Sequence, residues 1–257
     1  MIRLKFLGTG WSHGVPTIGC TCPVCTDTHP RNYRRRSSIQ VMDDAYSVVV
    51  DVGPDFRDQA LSFQIQQLDA VFITHQHADH VMGLDDVRRF SWIQKSPLPV
   101  YAEGTVLKRL SELYPYVRQA RTGGTAVPLI HFTPWQHPVT VGSMTFTPIE
   151  VPHAGMHCVG IRIDGDTGSL GYVPDCSGFS DEALAQLEDL DVMILNALRV
   201  EPHPAHLSLE QSLEWLGRIN AKRSLLTHMG CPLDYEALNP QLPEGVEMAW
   251  DGLQLSV

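Results

Sequence analysis

Three histidines and one aspartate crowd the stretch Thr74-His75-Gln76-His77-Ala78-Asp79-His80, directly after the apolar run Leu68-Asp69-Ala70-Val71-Phe72-Ile73. A β-branched and aromatic run of that length predicts a buried strand. On an extended chain residues i and i+2 share a side, so His75 and His77 can hold one metal ion between them. The turn that follows aims Asp79 and His80 at a second ion beside the first. Imidazole and carboxylate together suit zinc, manganese or iron, and paired ions make a hydrolytic centre. A fold that serves this motif must bring further ligands to the end of one buried strand.

At 257 residues the chain can bury a substantial core. A formal net charge of -10 argues against general affinity for nucleic acid or an anionic membrane. No apolar run approaches the length of a membrane span. The alternating start Met1-Ile2-Arg3-Leu4-Lys5-Phe6-Leu7 is expected to be a strand and not a signal peptide, which places the protein in the cytoplasm. Three of the six cysteines gather at Cys20, Cys22 and Cys25, a pattern that fits metal ligands better than disulfides. Three thiols so close can converge on one tetrahedral zinc, and Cys231, three residues after His228, is the candidate for the fourth donor. Cys158 and Cys176 have no such company and are expected to pack as small apolar groups.

Other segments are read in chain order. Gly8 to Pro16 is a glycine-rich loop carrying His13, a candidate substrate contact. Arg31 to Arg36 is the densest basic cluster, either a solvated face or a neutraliser of the thiolate site, with phosphate contact a further reading. Strands are expected at Ser38 to Met42 and Ala45 to Val50, the second ending at Asp51, which can support a ligand histidine by hydrogen bonding. A helix should open at Val81 to Phe90, and another should run from Thr105 to Val117 with Leu107, Leu110, Leu113 and Tyr114 on one face. Thr122-Gly123-Gly124-Thr125 is the best place to divide the chain into halves, about 1–123 and 124–257, within a single domain. Strands follow at Met144 to Val151, Val159 to Ile163, Ser169 to Val173, Val192 to Leu195 and Arg223 to Leu226. Helices are expected at Ser180 to Leu187 and Ser208 to Ile219, with Ser180 and Ser208 as N-caps.

One pattern recurs along this series: strand after strand ends in a metal-competent residue. His75 and His77 come first, then His153, Asp175 and His228. Strands finishing on one rim of a sheet sandwich would gather these residues although they lie far apart in sequence.

The arrangement resembles the metallo-β-lactamase-fold hydrolases, whose signature is a histidine-x-histidine-x-aspartate-histidine loop followed by a lone histidine, an aspartate and a last histidine. All parts are matched, at His75, His77, Asp79, His80, His153, Asp175 and His228. The resemblance implies an α/β fold, a four-layer αββα sandwich with metals at one edge. It also implies that His75, His77 and His153 hold one divalent ion, Asp79, His80 and His228 the other, with Asp175 as bridge. Gly8-Thr9-Gly10, Gly14-Val15-Pro16, the cysteine triplet and Tyr33-Arg34-Arg35 look like the PhnP-like group of phosphoribosyl cyclic phosphate phosphodiesterases. That group carries an extra zinc held by three cysteines and a histidine; this sequence has Cys231 in the histidine's place.

His206 matches a family histidine that serves near the leaving group, and Arg199 is a further candidate phosphate contact. The expected activity is hydrolysis of a small, cyclic phosphodiester by two zinc or manganese ions, with Asp79 orienting the hydroxide, His206 as proton donor and one structural zinc. A homodimer is the family expectation. Three other readings stay open: ribonuclease Z-like processing of RNA, against which the net charge counts, thioester or lactam hydrolysis, and a non-catalytic metal-binding accessory role in cofactor biosynthesis.

Overall fold

The computed structural model describes residues 1–118 and 129–257. The expected division at Thr122–Thr125 lies outside the described residues. The strands are β1 (Arg3–Gly8), β2 (Ser38–Met42), β3 (Ser47–Val50), β4 (Ala70–Phe72), β5 (Leu98–Ala102), β6 (Ile130–Pro134), β7 (Val139–Val141), β8 (Met144–His153), β9 (Met156–Asp164), β10 (Ser169–Val173), β11 (Val192–Asn196), β12 (Arg223–Thr227), β13 (Val246–Met248) and β14 (Gln254–Ser256). They form two seven-stranded sheets, ordered β14-β1-β2-β3-β4-β5-β6 and β13-β12-β11-β10-β9-β8-β7.

Pairing from β1 through β6 runs antiparallel twice and then parallel three times. From β8 through β13 the same succession recurs. The chain thus repeats one topology without a visible sequence repeat, since pairing depends on the alternation of apolar residues and not on their identity.

The apolar runs read as buried strands because both of their faces are covered. Val48, Val50, Ala70 and Phe72 point between the sheets, where Phe72 stacks on Phe146 with ring centroids 4.5 Å apart. Their neighbours Val49, Val71 and Ile73 point outward against Phe56, Val81, Leu84, Val87 and Phe90. The second sheet packs its outer face on Leu187, Leu216 and Ile219 in the same way. Helix, sheet, sheet and helix make the four layers expected from sequence.

Helix boundaries carry informative departures. The second strand of the first hairpin starts at Ser47 and not at Ala45, because the Asp43 carboxylate accepts the amides of Ala45 and Tyr46 and holds them in a turn. The helix expected to reach Val117 ends at Leu113, since Pro115 disfavours helical backbone at the residue before it. The helix after the metal motif begins earlier than read, at Ala78, and is broken into Ala78–Val81, Leu84–Val87 and Arg88–Gln94. Gly53 and Gly83 explain that break: a Cβ at Gly53 would collide with the Asp79 carbonyl, and one at Gly83 with the Gly53 carbonyl. These approaches press the strand-end segment Asp51-Val52-Gly53 against the motif, with Val52 N–H donating to the His80 carbonyl at 2.8 Å.

Candidate metal centre

The loops after β3, β4, β8, β10 and β12 meet on one edge of the sandwich. Three side chains converge first. Nε2 of His75 lies 2.9 Å from Nδ1 of His77, which lies 3.2 Å from Nε2 of His153. The tautomers follow from what the other ring nitrogens touch. Thr74 donates its hydroxyl to Asp51, so its oxygen accepts from Nδ1–H of His75 at 3.0 Å; Nδ1–H of His153 donates to the Ala205 carbonyl at 2.8 Å. The Nε2 lone pairs of His75 and His153 therefore face the same point as Nδ1 of His77. Burial pushes all three imidazoles down, His75 well below its ordinary range and His153 to about 4, which keeps them neutral and basic toward a cation.

A second set lies beside it. Nε2 of His80 is 3.3 Å from Asp79 Oδ2 and 3.1 Å from Asp175 Oδ2; Nε2 of His228 is 3.5 Å from Asp79 Oδ2 and 3.3 Å from Asp175 Oδ1. Asp175 also lies 3.9 Å from Nε2 of His153, so its carboxylate stands between the two sets. Burial pushes Asp175 and Asp79 upward, but the neighbouring His228 and His80 more than offset it and hold both carboxyls far below their usual range. His80 experiences the converse. Burial pushes it down, and the carboxylates of Asp79, Asp51 and Asp175 raise it well above its ordinary value.

Three carboxylates, Asp51, Asp79 and Asp175, surround His80, while burial keeps His75, His77 and His153 neutral, so the low-dielectric site gathers negative charge that bound cations would offset. His80 Nε2, Asp175 Oδ2 and both ring nitrogens of His228 are buried without a hydrogen-bond partner. Orphaned atoms of this type, aimed at common points, fit cations bound by nitrogen and oxygen donors. The backbone is strained where these ligands are presented: Asp51, Ala154 and His228 adopt φ of 62°, 48° and 54°. Ala154 and Gly155 form the two-residue turn of the β8–β9 hairpin, which leaves His153 at its tip.

His206 joins this constellation more closely than a leaving-group role requires. Its Nδ1 is 3.2 Å from Asp175 Oδ1, and its ring stacks on His228 with centroids 5.0 Å apart. With His153 and Asp175 it makes a further trio able to hold an ion. The other two candidate contacts lie apart from the trio. Arg199 donates to the carbonyls of Glu201 and Pro202 and so braces the loop that carries His206. His13 is exposed, its ring 4.7 Å from that of Trp11. Thr74 and the Ala205 carbonyl, which orient His75 and His153, were not anticipated; a backbone carbonyl leaves no signal in a sequence.

The sulfur atoms of Cys20, Cys22, Cys25 and Cys231 form a separate cluster, all within 4.8 Å of one another. A backbone N–H from Cys25 lowers the Cys22 thiol to about 7, whereas burial and the neighbouring thiols push Cys231 up to about 12. Four thiols this close cannot all ionise unless a cation compensates them, and a tetrahedral zinc suits such a set. Arg34, from the basic cluster, is buried behind it and donates to the carbonyls of Gly230 and Leu233, which flank Cys231 closely. Arg35 and Arg36 pair with Asp58 and Asp55. The cluster is therefore a clamp around the cysteine loop more than a solvated face. Cys158 and Cys176 are buried in the core, as expected.

Known proteins give this geometry a context. Residues 46–229 match the family described as the beta-lactamase superfamily domain. An octanoyltransferase of Porphyromonas gingivalis is 34% identical over 98% of the chain, which spans about half (51%) of that protein. A crystal structure described as a new diphosphatase from the PhnP family superposes with a TM-score of 0.92 at 35% identity, covering 100% of this chain and 98% of that one. Zn(2+)-bound PqqB from Methylobacterium extorquens shares the fold, with a TM-score of 0.82 at 22% identity over 99% of this chain and 100% of its own. No helix among the described residues is long and apolar enough to cross a membrane. By its matched residues and by the layers and ligand-bearing strand ends that those residues build, the chain belongs to the β-lactamase superfamily and stands close to its PhnP family.

Proposed function

We propose that this protein hydrolyses a phosphoester of a small molecule, a cyclic phosphodiester being the leading substrate class, at a centre of two divalent ions, zinc or manganese. The observation that carries the reading is the position of Asp175: its carboxylate lies 3.9 Å from His153 of one ligand trio and 3.1 and 3.3 Å from His80 and His228 of the other. When bound, paired ions supply a water of lowered pKa and neutralise charge on phosphoryl oxygens. His75, His77 and His153 would hold one ion, and Asp79, His80 and His228 the other. The residues supply the remaining chemistry. Asp79, mostly buried and held ionised by His80 and His228, can orient an attacking water by accepting its proton in a hydrogen bond. His206 stands at the rim with 14% of its side chain exposed, where an imidazole N–H can donate to the departing oxygen. Diphosphate cleavage, the activity named for the PhnP-family relative, asks the same of these groups.

A second reading is acyl-thioester hydrolysis, which an aspartate at position 79 of the metal motif would also serve; the Porphyromonas relative, of which this chain spans about half, is named an octanoyltransferase. Hydrolysis of bis(p-nitrophenyl) phosphate and of octanoyl-coenzyme A by protein loaded with manganese or zinc separates the two. Metal-dependent nitrophenol release, lost in Asp175→Ala, is expected. Release of coenzyme A with no nitrophenol would overturn the phosphoester reading in favour of the second.

A further inference from the structure

Three of the candidate ligands, His75, His80 and His153, have their second ring nitrogen held by the protein: by the Thr74 hydroxyl, the Asp51 carboxylate and the Ala205 carbonyl. His228 has no such support. Its Nδ1 is buried with no hydrogen-bond partner among the described residues. Stacking against the rings of His80 and His206, with centroids 5.8 and 5.0 Å away, sets the tilt of its imidazole. Stacked rings can still slide in their own plane, so the point at which Nε2 meets Asp79 and Asp175 is left to the backbone that carries the ring.

That backbone is strained and tied from two directions. His228 has φ of 54°, a left-handed conformation that a histidine keeps only where its surroundings impose it. From β11 and the segment after it, Ala197 N–H donates to the Thr227 carbonyl at 2.9 Å, while Gly230 N–H donates to the Leu198 carbonyl at 2.8 Å. The loop after β1 takes both polar groups of Met229: Met229 N–H donates to the Thr9 carbonyl at 2.9 Å, and Trp11 N–H to the Met229 carbonyl at 3.2 Å. With glycine on both sides of Thr9, that loop would be a soft support unless it were itself fixed. Asp251 fixes it. From the turn between β13 and β14, its Oδ1 accepts the Thr9 amide at 3.0 Å and the Thr9 hydroxyl at 2.9 Å, and its Oδ2 accepts the Arg35 amide at 2.8 Å. The turn is anchored on β1, Gly252 N–H donating to the Phe6 carbonyl at 2.8 Å and Phe6 N–H to the Leu253 carbonyl at 3.0 Å. The Asp251 side chain is only 5% exposed and Thr9 is fully buried, so removing the carboxylate leaves two Thr9 donors unpaired away from water.

We infer that Asp251 is a positioning residue for His228: through Thr9 and Met229 it sets where the imidazole meets the Asp79–His80–His228 ion, without touching a ligand. The inference rests on the two-ion centre proposed above and deepens it. It is tested by manganese binding to the full-length protein, followed by the electron paramagnetic resonance of the free ion, with Tm recorded for each variant. Manganese reads the histidine–aspartate centre alone, because thiolates select softer ions. Asp251→Ala is expected to weaken roughly tenfold the ion that Asp79→Ala removes, and to leave the other unchanged. Asp251→Asn keeps an acceptor for Thr9 but turns an amide toward the Arg35 N–H, so its loss should be smaller; it also carries the test should the alanine variant fail to fold. Asp43→Ala is the comparison, since Asp43 is likewise a buried carboxylate that accepts backbone amides, at the other end of β2. It should lower Tm with both affinities intact. Affinities unchanged in both Asp251 variants, or both ions weakened equally, would overturn the inference. If the wild type holds a single ion that Asp251→Ala weakens and Asp43→Ala does not, the positioning role stands and the two-ion reading fails. The expected pattern in a protein that cleaves no phosphoester would leave the positioning role and fail the activity reading alone.

Discussion

Asp51 and His80 form a fully buried pair, the carboxylate 2.7 Å from the imidazole Nδ1, with Asp51 held in turn by the amide and hydroxyl of Thr74. The pair aims Nε2 of His80 at Asp79 and Asp175. It also couples the end of β3 to the motif after β4, so the metal centre is held by two adjacent strands of one sheet.

Replacing Asp51 should therefore act on metal affinity without touching a proposed ligand. Asparagine tolerates the left-handed backbone at this position and still accepts a hydrogen bond, but lacks the charge. Asp51→Asn is expected to weaken the Asp79–His80–His228 ion by roughly 10–100-fold. Asp51→Ala should weaken it further. Competition with a chromogenic chelator reads both, and unchanged affinity in both would show that His80 needs no such support.

His206 can act as proton donor or as ligand, and substitution distinguishes them. As a donor, His206→Ala should retain its metal and lose about 10²–10⁴-fold in kcat on an ester with a poor, alkoxide leaving group, and much less on a nitrophenyl ester. As a ligand, it should lose metal, and the loss of rate should not depend on the leaving group. Metal content and a leaving-group series decide the matter.

Cys231 joins the C-terminal half to the N-terminal cysteine loop, three residues from His228. Cys231→Ser should release one zinc per chain, measurable by elemental analysis and by thiol titration. A destabilisation of about 3 kcal/mol would lower Tm by roughly 6–12 °C in a chain of this size. Cys231→His should retain the zinc, because imidazole replaces thiolate in tetrahedral sites.

Asp43 ties the first sheet to the β7–β8 turn. Burial pushes its carboxyl up, but the donors of Ser143, Ala45 and Tyr46 more than offset this and hold it at about 2. A folded value below the unfolded one means that the contribution is complete above the unfolded pKa and is lost as pH falls through about 2. Asp43 is only 8% exposed, so the interaction is weakly screened. Asp43→Ala should cost about 2 kcal/mol at pH 7, with the gap from wild type narrowing below pH 4. Urea unfolding at several pH values tests this; a gap independent of pH would show that the carboxylate charge is not what stabilises the turn.

Much of this was legible along the chain because it is local. The run from Leu68 to Ile73 announces a strand, the spacing of His75 and His77 a shared ion, and Ser180 and Ser208 cap the helices that they were expected to cap. The cysteine triplet and Cys231 could be paired on paper because thiols so placed have few other uses. The six-residue cluster from Arg31 could not be read: only packing decides that Arg34 is buried behind Cys231 while Arg36 pairs with Asp55. Likewise, the Ala205 carbonyl orients His153 across 52 residues, and Asp175 Oδ1 lies between His153 of one ligand set and His228 of the other, because the sheets twist and pack to bring their strand ends together. Residue type and spacing determined which groups could bind metal; only the tertiary structure decided which lone pairs face one another, since that depends on distances set by the packed core between the sheets.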